Sequence, residues 1–167
     1  NEGVWSYNPA TAVLTFDPNT GFTKSPTDIS YVLTEVLTGL TKNAVVSVGY
    51  TTVPPTATTD SSTGNVPGVN AVLNILSNDK LSDGSAATVA TTTVDLDPTT
   101  PGVQTTLTIA NEGVWSYNPA TGVLTFDPQD GFTKSPTDIS YVLTEVLTGL
   151  TKNAVVSVGY TIVPPTA

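Results

Sequence analysis

The sequence contains no cysteine, no methionine, no histidine and no arginine. Without thiols there is no disulfide framework, no zinc-thiolate site and no reactive sulfur, so stability must rest on packing, with bound ions as the one supplement. Without His or Cys the common acid–base and nucleophilic constellations are missing, and no glycine-rich phosphate loop is present. A glycosidase built on two carboxylates is the one enzyme class the composition allows, and nothing in the sequence places two carboxylates in a cleft. The chain is therefore expected not to be an enzyme. Positive charge is also scarce: 5 lysines face 14 acidic residues, a formal net charge of -9. A nucleic-acid binder needs a basic stripe to displace counterions, which excludes that class of partner, and anionic lipid fits as poorly. No apolar run approaches the roughly 20 residues of a membrane helix, so no membrane span is expected.

What remains is a chain of 167 residues, 38% hydrophobic and only 11% charged, whose polarity is carried mostly by Thr, Ser and Asn. That length suits one domain with a real core, or one domain plus part of another. It opens at Asn1-Glu2-Gly3 without an initiator Met or a signal-like start, and reads as an excerpt of something longer or a processed product.

The strongest internal signal is repetition. Asn1-Glu2-Gly3-Val4-Trp5-Ser6-Tyr7 recurs as Asn111-Glu112-Gly113-Val114-Trp115-Ser116-Tyr117, a period of 110 residues. Between 1–57 and 111–167 only Ala12/Gly122, Asn19/Gln129, Thr20/Asp130 and Thr52/Ile162 differ. Near-identity over a domain-sized period suits a protein whose length or multivalency matters more than the individuality of each unit.

Alternation of period two, rich in β-branched and aromatic residues, marks strands along most of the chain. Val114–Tyr117 and Val123–Phe126 flank the turn Asn118-Pro119-Ala120-Thr121-Gly122 and read as a hairpin. Ile139–Thr144 follows, then a reversal at Gly149 and Lys152-Asn153, then a long strand from Ala154 to Val163. Upstream, Val69–Leu76, Thr88–Leu96 and Val103–Ile109 complete about seven strands, the pattern of an Ig-like antiparallel β-sandwich. The fold class is all-β, in tandem repeats of 110 residues. The Pro/Thr/Ser stretch around 54–66 has no apolar face and is expected to be a linker. On that reading 58–167 is a complete sandwich and 1–57 is the C-terminal half of another, which cannot close by itself. Val69–Leu76 should then lie with Trp115, not Trp5.

Gly113-Val114-Trp115-Ser116-Tyr117, Gly122-Val123-Leu124-Thr125-Phe126-Asp127-Pro128, Gly131-Phe132-Thr133 and Pro136-Thr137-Asp138-Ile139-Ser140-Tyr141 occur in this order. Together they resemble the CshA-type fibril repeat of bacterial surface adhesins. Asn74–Gly84 is similar to the N-D-x-x-x-D-G stretch that opens many cadherin-like bacterial repeats. The resemblance implies a β-sandwich module strung in long, secreted, surface-anchored proteins, including very large ones of gliding Bacteroidetes. It departs at Thr144-Glu145-Val146-Leu147, where related repeats often carry T-D-x-x-G.

Acidic turns carry the remaining chemistry. Asn78, Asp79 and Asp83 fall on one loop and are the candidate Ca²⁺ ligands, with Asp95, Asp97 and Asp127 as additions if their turns lie close. The competing expectation, favoured because no D-x-D-x-D-G loop is present, is that these side chains bond their own turns. Lys24 or Lys134 with Glu35 or Glu145 and a nearby Asn is a candidate for an isopeptide bond, which needs a buried lysine; solvated lysine is far commoner. Trp5/Trp115, Tyr7/Tyr117, Phe16/Phe126 and Tyr31/Tyr141 suit a carbohydrate-stacking platform if exposed, and core packing if not. The function expected is a spacer or filament-forming module of an extracellular bacterial surface fibre or adhesin. Its partners would be neighbouring repeats or other copies of itself. The alternative is a module that binds a ligand, such as a host or matrix glycan.

Overall fold

The structure, a computed structural model, describes residues 2–161. The chain divides into two compact units, Asn1–Thr52 and Val53–Ala167. Every regular element among the described residues is a β-strand, and none is a helix long and apolar enough to cross a membrane.

The first unit holds two antiparallel hairpins. β1 (Gly3–Asn8) pairs with β2 (Val13–Pro18), and β3 (Ile29–Thr34) pairs with β4 (Thr41–Val46), each pair forming a sheet of two strands.

The second unit is a sandwich of two four-stranded sheets. It contains β5 (Asp60–Asn65), β6 (Ala71–Asn74), β7 (Thr92–Asp95), β8 (Thr106–Ile109), β9 (Gly113–Asn118), β10 (Val123–Pro128), β11 (Ile139–Glu145) and β12 (Thr151–Tyr160). The sheet orders are β6-β10-β9-β8 and β5-β12-β11-β7. All pairs are antiparallel except β5 with β12, which run parallel. In each sheet the two middle strands form a hairpin from 111–160, and one strand from 53–110 lies on either side. None of β5 to β8 is a ladder partner of another, so this segment has no sheet of its own. β6 pairs with β10, and β10 with β9, which puts this strand in one sheet with Trp115.

Alternation places one face of each strand inside. Trp115, Tyr117, Leu124 and Phe126 from one sheet and Ile139, Tyr141, Leu143, Val156 and Val158 from the other meet in a single core. Ala71, Leu73, Ile75, Leu76, Val94 and Leu96 of the flanking segment complete it. The Trp115 and Phe126 rings sit 4.8 Å apart between centroids, tilted by 44°. Gly113 is sterically required beside them: at φ +157 a Cβ would lie 2.2 Å from the Asp127 carbonyl oxygen and 2.9 Å from Phe126 Cζ. The β9–β10 turn is closed by Asn118, whose side-chain oxygen accepts from the Ala120 N–H at 2.9 Å while its carbonyl accepts from Gly122 at 2.9 Å.

Several boundaries differ from those read in the sequence. The 54–66 stretch expected as a linker contains β5, and Pro55 is buried. Ladder bonds come from the backbone, so a Ser/Thr-rich strand with no apolar face can still pair at an edge. The upstream strands are shorter than expected, and the one expected from Thr88 begins only at Thr92. Thr88 turns instead: its carbonyl accepts from the N–H groups of Thr91 and Thr92 at 3.0 Å each. The last strand starts at Thr151, because Lys152 and Asn153 pair with Leu143 and Val142 instead of forming the reversal. The turn runs between Glu145 and Leu150, and its apolar Val146 and Leu147 are exposed. Ile162 and Val163, expected to end this strand, lie outside the described residues.

Candidate functional site

Two features stand apart from ordinary sandwich packing: a buried acidic cluster in the second unit and an uncovered apolar face in the first.

The cluster is assembled from three elements. Asp60 opens β5 and is carried inward by its parallel register with Val156. Asp79 sits in the turn after β6, where its N–H donates to the Leu76 carbonyl at 3.3 Å. Tyr141 lies in the middle of β11 with its ring wholly buried. The Tyr141 hydroxyl is 2.9 Å from Asp79 Oδ2, 3.2 Å from Asp60 Oδ2 and 3.2 Å from the Ile75 carbonyl oxygen. Asp79 Oδ1 accepts from the Thr58 N–H at 2.7 Å.

One phenol carries one proton, which cannot satisfy three acceptors at once. The arrangement is complete when a carboxyl is itself protonated and donates to the phenol oxygen. Burial pushes Asp60 up to about 6, with the bond from Tyr141 opposing that rise and the charge of Asp79 adding to it. Burial likewise raises Asp79, against the lowering effect of its bonds from Thr58 and Tyr141. Burial, followed by the two nearby carboxylates, raises the phenol far above its ordinary value. This cluster ties 53–110 to 111–160. Beside Asp60 an open polar cleft of about 380 Å³ is lined by Ser61, Ser62, Asn74, Ser77 and Asn78 among others.

The other acidic residues have separate assignments. Of the three candidate Ca²⁺ ligands, Asp79 belongs to the buried cluster, while the Asn78 side-chain amide donates to the Thr59 carbonyl at 3.3 Å. Asp83 is exposed and accepts from the Ser85 N–H at 2.8 Å and hydroxyl at 2.6 Å. The Ser85 bonds hold its carboxyl below the usual range. Asp95 accepts from the N–H groups of Asp97 and Gln104, and Asp97 from Thr99 and Thr100, whose hydroxyls lower its pKa. Asp127 is exposed. Among the described residues no three His, Cys, Asp or Glu side chains group as metal ligands. Lys24 and Lys134 are exposed, so neither is the buried lysine an isopeptide bond requires. Glu145 is buried and accepts from the Ser82 N–H and hydroxyl at 3.1 Å each.

Asp60 was not legible as a site residue in the sequence, and Tyr141, weighed there as a stacking ring or a core ring, is a core ring whose hydroxyl joins the acidic cluster. The available signal was Tyr141 on the inward side of an alternating strand, where a hydroxyl needs a partner; which residue supplies it depends on the fold.

The uncovered face belongs to the first unit. Tyr7, Tyr31 and Leu33 are 60%, 48% and 65% exposed, whereas Tyr117, Tyr141 and Leu143, at the equivalent positions, are 5%, 0% and 0% exposed. An open apolar cleft of about 530 Å³ lies there, lined by Tyr7, Leu14, Ile29, Tyr31, Leu33 and Val46 among others.

These features define an all-β sandwich protein. Compared with protein-family models, curated proteins and solved structures, the chain gave no match.

Proposed function

We propose that the chain is a structural repeat module of a long extracellular bacterial surface fibre or adhesin, acting as a spacer or filament-forming unit. The observation that carries this reading is the burial of Trp115 and Tyr141, the aromatic residues of its most distinctive motifs. A binding module presents such rings to a ligand, whereas a spacer spends them on its core. The near-identity of 1–57 and 111–167, and the resemblance to CshA-type repeats, support the same reading. Its partners are then neighbouring repeats or other copies of itself, and it performs no catalysis.

The test is a set of recombinant arrays carrying two, three and four full periods of 110 residues. Contour length by electron microscopy should rise in equal steps with each added period. Arrays that collapse to a globule, or that hydrolyse polysaccharides, overturn the reading. The polar cleft beside Asp60 favours a second reading, a carbohydrate-binding adhesin module. A glycan array separates the two, since saturable binding lost in Asn78→Ala selects the second.

A further inference from the structure

One strand pair of the second unit is built unlike the others. β5 is its first strand and β12 its last, and the two are hydrogen-bonded neighbours that run parallel, whereas the other pairs are antiparallel. The register sets Asp60 against Val156, Ser61 against Ser157, Ser62 against Val158 and Asn65 against Tyr160. The N-terminal end of β5 therefore lies beside the middle of β12, and the C-terminal ends of the two strands lie together. A pull on the chain before β5 and after β12 draws the strands past each other along their own direction. In an antiparallel pair the entering and leaving ends would lie side by side, and the same pull would part the strands one bond at a time. Force along a ladder is shared by its bonds, which must fail together, while force across it falls on the end bond first.

The chemistry of β5 suits such a load. It reads Asp-Ser-Ser-Thr-Gly-Asn, with no large apolar side chain to anchor it in the core. Apolar contact is non-directional and tolerates sliding, whereas a hydrogen bond depends on distance and angle and resists it. Asn65 clasps the far end: its side-chain amide donates to the Ser62 carbonyl at 3.2 Å and across to the Gly159 carbonyl of β12 at 3.0 Å, and its own carbonyl accepts from the Thr161 N–H at 2.9 Å.

The chain ahead of β5 is tied as well. Thr56 exchanges two backbone bonds with Lys80, at 2.8 and 2.9 Å. The Thr58 N–H donates to Asp79 Oδ1 at 2.7 Å, and the Tyr141 hydroxyl joins Asp79 to Asp60 at the start of the strand. A load arriving at Val53 meets Lys80, then Asp79, then Tyr141, before it reaches the ladder.

We infer that β5 and β12 form a shear clamp that carries tension through the second unit, with the cluster of Asp60, Asp79 and Tyr141 fastening its entry end. The inference deepens the reading of the chain as a fibre module and rests on it, since a fibre is what pulls on both ends of such a unit. It gives the Ser/Thr-rich strand and the buried acidic cluster one shared task.

The absence of cysteine lets handles be placed at chosen positions on the full chain. Val53→Cys with Thr161→Cys loads β5 and β12 in shear. Val66→Cys with Thr161→Cys pulls on the two C-terminal ends that lie together, and peels them apart. Val53, Val66 and Thr161 are exposed, so these changes leave the core intact, and calorimetry checks that both variants melt alike. Neither pair of handles loads residues 1–52. In single-molecule stretching at one loading rate, the shear pair should unfold at a force at least about twice that of the peel pair, because forced unfolding follows the barrier and not the equilibrium stability. Tyr141→Phe should shorten the lifetime at constant force about fivefold in the shear pair, through loss of hydrogen bonds to charged partners. It should leave the peel pair unchanged, since the cluster lies away from the bonds that peel first. Equal forces in the two geometries overturn the clamp, and equal shortening in both removes the cluster from it. If the forces are equal while multi-period arrays still lengthen in equal steps, the clamp alone is wrong and the fibre-module reading stands. Arrays that collapse overturn that reading and, with it, the tension the clamp would carry.

Discussion

Tyr31 and Tyr141 occupy the same place in two identical stretches of sequence, yet Tyr141 is wholly buried with its hydroxyl 2.9 Å from Asp79 Oδ2, while Tyr31 is exposed. The difference lies in whether Asp60, Ile75 and Asp79 are there to receive it. One amino-acid pattern thus yields a core residue or a surface residue according to the company of a segment distant in sequence.

The acidic cluster makes stability depend on pH in an unusual direction. Asp60 is raised from an ordinary value of 3.8 to about 6, so the folded state holds a proton that the unfolded chain has released. Its contribution is fully present below about 4 and is lost as the pH rises through 6. Asp79, also raised, acts with the same sign. Asp83 and Asp97, lowered by their turn bonds, act oppositely, their contribution being lost only as the pH falls below the usual carboxylate range. The second unit should therefore melt higher near pH 5 than at pH 7.5. Asp60→Asn should flatten that slope; an equally steep slope in the variant would assign it to other groups.

Trp115 and Trp5 give a matched pair of truncations. Trp115→Ala removes a wholly buried ring from a complete core and should cost about 3 to 5 kcal/mol in denaturant unfolding of the second unit. Trp5→Ala, in the uncovered copy, should leave that transition unmoved. A loss below about 1 kcal/mol for Trp115→Ala would contradict its burial.

Gly113→Ala should destabilise by about 3 kcal/mol or more, since its Cβ would lie 2.2 Å from the Asp127 carbonyl oxygen and the backbone must shift. The readout is the midpoint of chemical unfolding. A variant as stable as the parent would show that β9 can move away from β10 without loss.

Positions 12 and 122 differ naturally, with Ala12 at φ +55 and Gly122 at φ +74. A left-handed backbone disfavours a Cβ, so Gly122→Ala should lower the stability of the second unit by about 1 kcal/mol. Contact with Leu76 and Val89 at 3.4 Å offsets little of this. Calorimetry of the single variant checks the size and sign.

The alternating pattern by itself determined much of this protein. It marked both hairpins, their turns at Asn118–Gly122 and near Gly149, and the alternating positions of Trp115, Phe126 and Tyr141, whose burial the folded structure then decided. Those features depend on local geometry: a period of two, a turn that needs glycine, and rings that must leave water. Tertiary structure decided the rest. β5 was hidden in a Ser/Thr-rich stretch because edge pairing uses backbone groups that every residue carries. Asp79 was readable only as a loop acid, since its bond to Tyr141 joins residues 62 apart in sequence. Nor does the sequence of one hairpin say whether its edges are filled. The 1–57 and 111–167 copies differ at four positions, yet their faces differ in burial because four strands cover one and not the other. Burial is a property of the assembled sheets, so near-identical residues can have two environments.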